Sequence, residues 1–209
     1  TRCSRDWSSD VCSSDLDPLD LDLDLDLPTH RINYKKENKQ HMKLGIDVSE
    51  HNGINNWPAI AAAGVKFAII RAGWGEGSVD AEFYYNVNGA IAAGLDIGVY
   101  WFCYALDMEG LKREMDFLLA LLKDCGLTPD KLPMGVFLDV EDDSYRPFRH
   151  YPGLKVVNEL CHAFCDGVSA AGYKAGIYSS ASWVGRDSYI QGHEFREQTG
   201  WGAEWDPTC

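Results

Sequence analysis

The sequence predicts an α/β chain built on a parallel sheet, curled into a closed or partly closed β/α barrel. Three observations carry this. Strand and helix patterns alternate in units of about 30 residues. The strand segments are near-continuously apolar, as strands covered on both faces are. The segment 108–125 places Leu111, Met115, Leu118, Leu119 and Leu122 at helical spacing on one face. In a barrel of this kind, chemistry gathers at the C-terminal ends of the strands.

The elements follow in order. Residues 43–48 (KLGIDV) form a short apolar strand. Residues 56–63 begin a helix, with Asn56 as its N-cap and Pro58 in its first turn, and Gly64 stops it. Residues 66–72 (KFAIIRA) are a second strand, and 81–93 a helix that closes at Gly94. A third strand covers 96–104 (DIGVYWFCY). The helix 108–125 ends before Gly126, and a fourth strand covers 134–141 (MGVFLDVE). A helix over 154–171, a strand over 175–178 and a sixth strand over 200–205 complete the pattern.

The first 41 residues differ from the rest. Residues 19–27 read LDLDLDLDL, a low-complexity repeat with nothing to pack against. Residues 6–16, DWSSDVCSSDL, resemble the conceptual translation of a sequencing-library adapter. The lysine-rich stretch 29–41 resembles an untranslated leader read as protein, with a flexible native tail as the alternative. The expected organisation is a disordered or artefactual leader over 1–41 and a folded domain over 42–209. Alternating Asp breaks any apolar core of a secretory signal.

The chain has 209 residues and a formal net charge of −13. Of its 19 basic and 32 acidic residues, 13 and 23 lie from Met42 onward, so the acidity belongs to the domain. Such a chain is repelled by phosphate backbones, which argues against nucleic acid as a partner. No apolar run of about 18 residues is present, so membrane insertion by a helix is not expected. The seven cysteines show no paired CxxC spacing, and Cys161, His162 and Cys165 read as helix packing, not as a metal site. No metal and no other cofactor is expected.

Three acids fall at strand ends. Asp47 closes the first strand, and Asp139 and Glu141 close the fourth. Alternation points Asp139 and Glu141 the same way, about 6–7 Å apart along the strand, with Val140 directed into the helix layer. Two carboxylates after the apolar run Val136-Phe137-Leu138 are costly unless used. Their proximity raises one pKa, and a carboxyl protonated near neutral pH is what a glycosidase needs to protonate a leaving oxygen. Aromatic residues gather at the same strand ends, among them Trp74, Tyr100, Phe102, Tyr104 and Tyr178, and suit the apolar faces of sugar rings. Arg71, inside an apolar strand, needs a partner, and a rim carboxylate is the expected one. His51 lies beside Asp47 in the rim loop.

The stretches MKLGIDVSEHNGINNW, GVKFAIIRAGWGEG, AGLDIGVYWFCYAL, LPMGVFLDVEDD and AGYKAGIYSS resemble, in order and spacing, the glycoside hydrolase family 25 lysozymes of the Chalaropsis type. The resemblance runs from about Met42 to Ser180, and more weakly to Trp205. It implies an irregular, flattened β/α barrel and N-acetylmuramidase activity on peptidoglycan. By the same resemblance Glu141 is the general acid, Asp139 orients or polarises the substrate acetamido group, and Asp47 is a further acid of the site. It places substrate contacts on Arg71, Tyr100, Phe102, Tyr178 and Trp205. The family continues beyond the W-x-A-x-W strand with further strands and a fourth acid, so a barrel incomplete at its C-terminus is expected, with a fragment inactive as it stands. The separation of the two carboxyls along the strand lies near the boundary between retaining and inverting geometries, which leaves both routes open.

Two other classes remain at this stage. One is a different DxE glycosidase such as a chitinase, although the longer D-x-x-D-x-D-x-E pattern is absent. The other is a non-catalytic glycan-binding barrel. The expected partner is peptidoglycan, the expected state a monomer, and the expected place of action the cell wall, as a bacterial autolysin or a released phage endolysin.

Overall fold

The computed structural model describes residues 43–180, together with Trp183 and Ile190. The strand expected over 200–205, the contact residue Trp205 and the leader over 1–41 lie outside the described residues.

Strand β1 (Gly45–Val48) leads through a 3-10 turn at Glu50–Asn52 into helix α1 (Trp57–Ala62). Strand β2 (Phe67–Trp74) is followed by the two-residue strand β3 (Ser78–Val79) and helix α2 (Phe83–Ala92). Then come β4 (Asp96–Phe102), α3 (Met108–Asp124), β5 (Gly135–Asp139), the short α4 (Asp142–Tyr145), α5 (Leu154–Ala170) and β6 (Ala175–Tyr178). The sheet order is β1-β2-β4-β5-β6, with β3 paired to β2. All neighbours along the main path are parallel, and β3 alone is antiparallel. This is the expected mixed α/β architecture with a parallel sheet. Among the described residues β1 and β6 do not pair, so the sheet is an open arc and not a closed barrel.

Local chemistry explains the boundaries. Asn56 caps α1 by accepting from the Ala59 N–H at 3.2 Å. Asp107 caps α3 by accepting from the Gly110 N–H at 2.8 Å, and Gly126 takes the left-handed backbone that ends it, at φ 62°. Helix α2 starts two residues later than the sequence pattern suggests, because Asp80 Oδ1 accepts from the Glu82 N–H at 2.9 Å and holds 80–82 in a turn.

The helices cover one face of the sheet. Ala68, Ile70, Val99, Trp101, Val136 and Leu138 are buried in that layer with Leu111, Leu118 and Leu122 of α3 and Val157, Leu160 and Phe164 of α5. Cys161 and Cys165 are buried there as free thiols, as helix packing requires. The other face carries the site, and strand register builds it.

The pairing of β2 with β4 slips by one residue between Arg71 and Gly73, leaving Ala72 as a β-bulge. Strict alternation would put Arg71 and Trp74 on opposite faces, since three residues separate them. The bulge restores them to one face: Arg71 lies abreast of Tyr100, and Trp74 abreast of Phe102. The row continues from Phe102 to Asp139 and from Asp139 to Tyr178. Trp74, Phe102, Asp139 and Tyr178 thus form one line across four strands at their C-terminal ends.

Candidate active site

That line floors a cleft of about 440 Å³, whose walls include Asp47, Ser49, His51, Arg71, Tyr100 and Glu141. Six of the seven described site residues named from the sequence come from strands β1, β2, β4, β5 and β6. The seventh, Glu141, lies two residues past β5. Backbone pairing persists to that point, because the Val140 N–H donates to the Tyr178 carbonyl at 3.0 Å. The Ser179 hydroxyl donates to the Val140 carbonyl at 2.6 Å and ties the two strand ends together. Val140 is fully buried, so its neighbours face the cleft as alternation requires.

Asp139 is only 4% exposed. Burial holds its carboxyl well above the usual carboxylate range, and the nearby Glu141 and Asp47 charges push it further. Its Oδ1 has no hydrogen-bond partner among the described residues. An unsatisfied buried carboxyl oxygen is costly, and a donor brought by a ligand would satisfy it. Glu141 is also raised, by partial burial and then by Asp143, while a hydrogen bond from Asp139 works in the opposite direction. The pair therefore titrates as a unit and retains a proton to higher pH than isolated carboxyls. The Glu141 backbone N–H donates to Ser144 Oγ at 3.1 Å, which fixes the chain as it enters α4. Asp47 is the most open of the three acids, and loss of solvation against the cleft walls raises its carboxyl too. The same negative field, added to burial, raises the phenols of Tyr100 and Tyr178.

Arg71 pairs with a rim carboxylate as expected, Glu50 of the loop after β1, and with a second acid, Asp80, that does not line the cleft. Its partners are not Asp47 or Asp139 but two acids that the sequence did not single out. Its Nε donates to Asp80 Oδ2 at 2.7 Å, and its Nη2 lies 3.2 Å from Glu50 Oε1. Its guanidinium carbon stands 4.8 Å from the Trp74 ring centroid. Asp80 also accepts from the Glu50 N–H at 3.0 Å, and Glu50 Oε2 accepts from the Ala81 N–H at 3.1 Å. This network ties the loop after β1 to the end of β2. The only sequence signal for Asp80 was an acid just ahead of a helix, which reads as a cap.

Glu114 of α3 was also missed. It sits behind the cleft, 1% exposed, accepting from Trp101 Nε1 at 3.0 Å and from the Tyr104 N–H at 3.1 Å. A charge on the apolar stripe between Leu111 and Leu118 was the available signal.

With this geometry in place, comparison with known proteins is informative. The family described as Glycosyl hydrolases family 25 matches residues 46–208. Lysozyme M1 from Streptomyces globisporus is 41% identical over 156 residues, covering 66% of this chain and 47% of the relative. The chain thus spans about half the length of that relative. Among solved structures, a family 25 glycosyl hydrolase from Bacillus anthracis superposes with a TM-score of 0.65 at 20% identity, over 80% of this chain and 72% of that one. The modular autolysin LytC from Streptococcus pneumoniae, in complex with a synthetic peptidoglycan ligand, gives 0.62 at 23% identity, over 76% and 36%. At these identities the structural likeness speaks to the fold.

Proposed function

Since this chain belongs to the glycosyl hydrolases of family 25, we propose that it is a lysozyme cleaving the β-1,4 bond between N-acetylmuramic acid and N-acetylglucosamine in peptidoglycan. The observation that carries the reading is the pairing of buried Asp139 with half-buried Glu141 at the end of β5, both lining an aromatic cleft and both raised above the usual carboxylate range. Glu141 protonates the glycosidic oxygen. The 2-acetamido oxygen of muramic acid attacks the anomeric carbon, and Asp139 accepts from the acetamido N–H as positive charge develops there. Water then opens the cyclic intermediate, with Glu141 taking its proton, and the configuration is retained. Asp47 adds negative charge at the mouth of the cleft. Arg71, Tyr100, Phe102 and Tyr178 line the sugar path, joined by Trp205.

In this reading the catalytic domain covers residues 42–209, and the described strands are the open arc of an irregular β/α barrel. The enzyme works as a monomer at the cell wall, as an autolysin or a released phage endolysin. No helix among the described residues is long and apolar enough to cross a membrane.

The test is digestion of purified cell walls by the full-length protein, followed by borohydride reduction and mass spectrometry. Reduced muramic acid ends are expected, and Glu141→Gln should cut their formation by roughly 10²–10⁴-fold with an unchanged melting curve. Reduced glucosamine ends, or parental rates from a folded Glu141→Gln protein, would sink the assignment.

A further inference from the structure

The aromatic lining of the cleft does not stop at the cleft. Phe102 meets Tyr104 edge to face, with ring centroids 5.3 Å apart, and Tyr104 meets Phe148 in the same way at 5.6 Å. Phe102 and Tyr104 line the cleft, whereas Phe148 lies past its edge with 48% of its surface in water. An isolated exposed phenylalanine calls for no explanation. One that continues a ladder of rings out of a sugar-sized cleft does.

The segment that presents it is braced. Arg146 pairs with Asp142 and Asp143, and the Tyr151 hydroxyl donates to Asp142 Oδ1 at 2.9 Å. Beneath them Tyr145 is fully buried and stacks on Trp183 at 6.0 Å. The turn closes at Arg149 in left-handed backbone, φ 51°, the one non-glycine residue so placed among the described residues. That conformation is strained for a side-chain-bearing residue and persists only where its surroundings impose it. The fold therefore accepts a strained turn to hold an apolar ring in solvent at a fixed distance from the cleft.

We propose that Phe148 is an outer saccharide-binding subsite, a platform on which a sugar ring of the glycan strand beyond the cleft stacks. It rests on the muramidase reading above and deepens it: the preferred substrate is an extended glycan strand and not a short oligosaccharide. Stacking on the exposed face adds binding energy remote from the reacting bond without touching the acids.

Isothermal titration tests this, with the Glu141→Gln protein as parent so that substrate survives. The probes are peptide-free peptidoglycan glycan strands and the N-acetylglucosaminyl–N-acetylmuramic acid disaccharide. Adding Phe148→Ala should weaken long-strand binding by about three- to tenfold and leave the disaccharide unchanged. Phe148→Tyr should restore the parental value. Long strands bound equally well by parent and Phe148→Ala would overturn the subsite alone. Equal loss for both probes would also overturn it, since Phe148 would then act through the cleft. A parent that binds neither probe would overturn the muramidase reading itself, and the subsite with it.

Discussion

Glu114 offers the sharpest quantitative test of how this fold holds its cleft. It is a carboxyl behind the sheet, 1% exposed, with two donors aimed at it. Burial outweighs those donors, and the Glu76 charge adds to it, so its pKa rises from 4.5 to about 7. The Cys103 thiol pulls weakly the other way. The folded state thus binds this proton more tightly than the unfolded state does. Its contribution to stability is fully present below about pH 4.5 and is lost as pH rises through about 7. At about 1.4 kcal/mol per pH unit, a displacement from 4.5 to about 7 is worth ~3 kcal/mol. Glu114→Gln removes the titration while keeping an oxygen for one of the two donors. Urea unfolding of both proteins between about pH 4 and pH 8 isolates the effect. The raised cleft carboxyls drop out, because both proteins share them. The stability gap should move by ~3 kcal/mol in favour of Glu114→Gln across that range. A gap constant to within about 0.5 kcal/mol would show that Glu114 does not titrate in this window and that the burial argument fails.

Two further predictions concern β2. Asp80→Ala strips a buried guanidinium of its closest partner and frees two backbone N–H groups, and should cost about 3–5 kcal/mol in urea unfolding. A loss under about 1 kcal/mol would mean that Glu50 alone suffices to hold Arg71. At Gly73 an added Cβ would stand 2.0 Å from the Ser78 carbonyl oxygen and 2.8 Å from the Trp101 ring. Gly73→Ala should therefore destabilise by about 1–3 kcal/mol, read as a lowered melting temperature, and an unchanged melt would show that β3 moves aside freely.

Much of the molecule was legible because its signals are local. Apolar runs bounded by glycine marked β2, β4 and β5, and the stripe on α3 marked its buried face. Asp47, Asp139 and Glu141 stood out as charges directly after buried runs. What escaped was non-local. Asp80 looks like a helix cap until the fold brings Arg71 to it, nine residues away. Glu114 looks like a surface acid until Trp101 and Tyr104 are seen to face it. Phe148 follows a run of charged residues and has no periodicity to announce it. Trp74 was named only as one aromatic among many, because simple alternation cannot predict a bulge.

That bulge makes residues 72–74 a single heritable unit. Ala72 supplies the extra residue, Gly73 the empty space beside Trp101, and Trp74 the ring that returns to the cleft beneath Arg71. No member can change without consequence for the others. Pairing without the slip, with all three residues kept, would swing the indole into the helix layer, where Gly73 now offers only a hydrogen atom beside Trp101. Filling position 73 would collide with the backbone that lets the strand slip. The side chains that β2 presents to the cleft are therefore set by a one-residue slip in its pairing with β4.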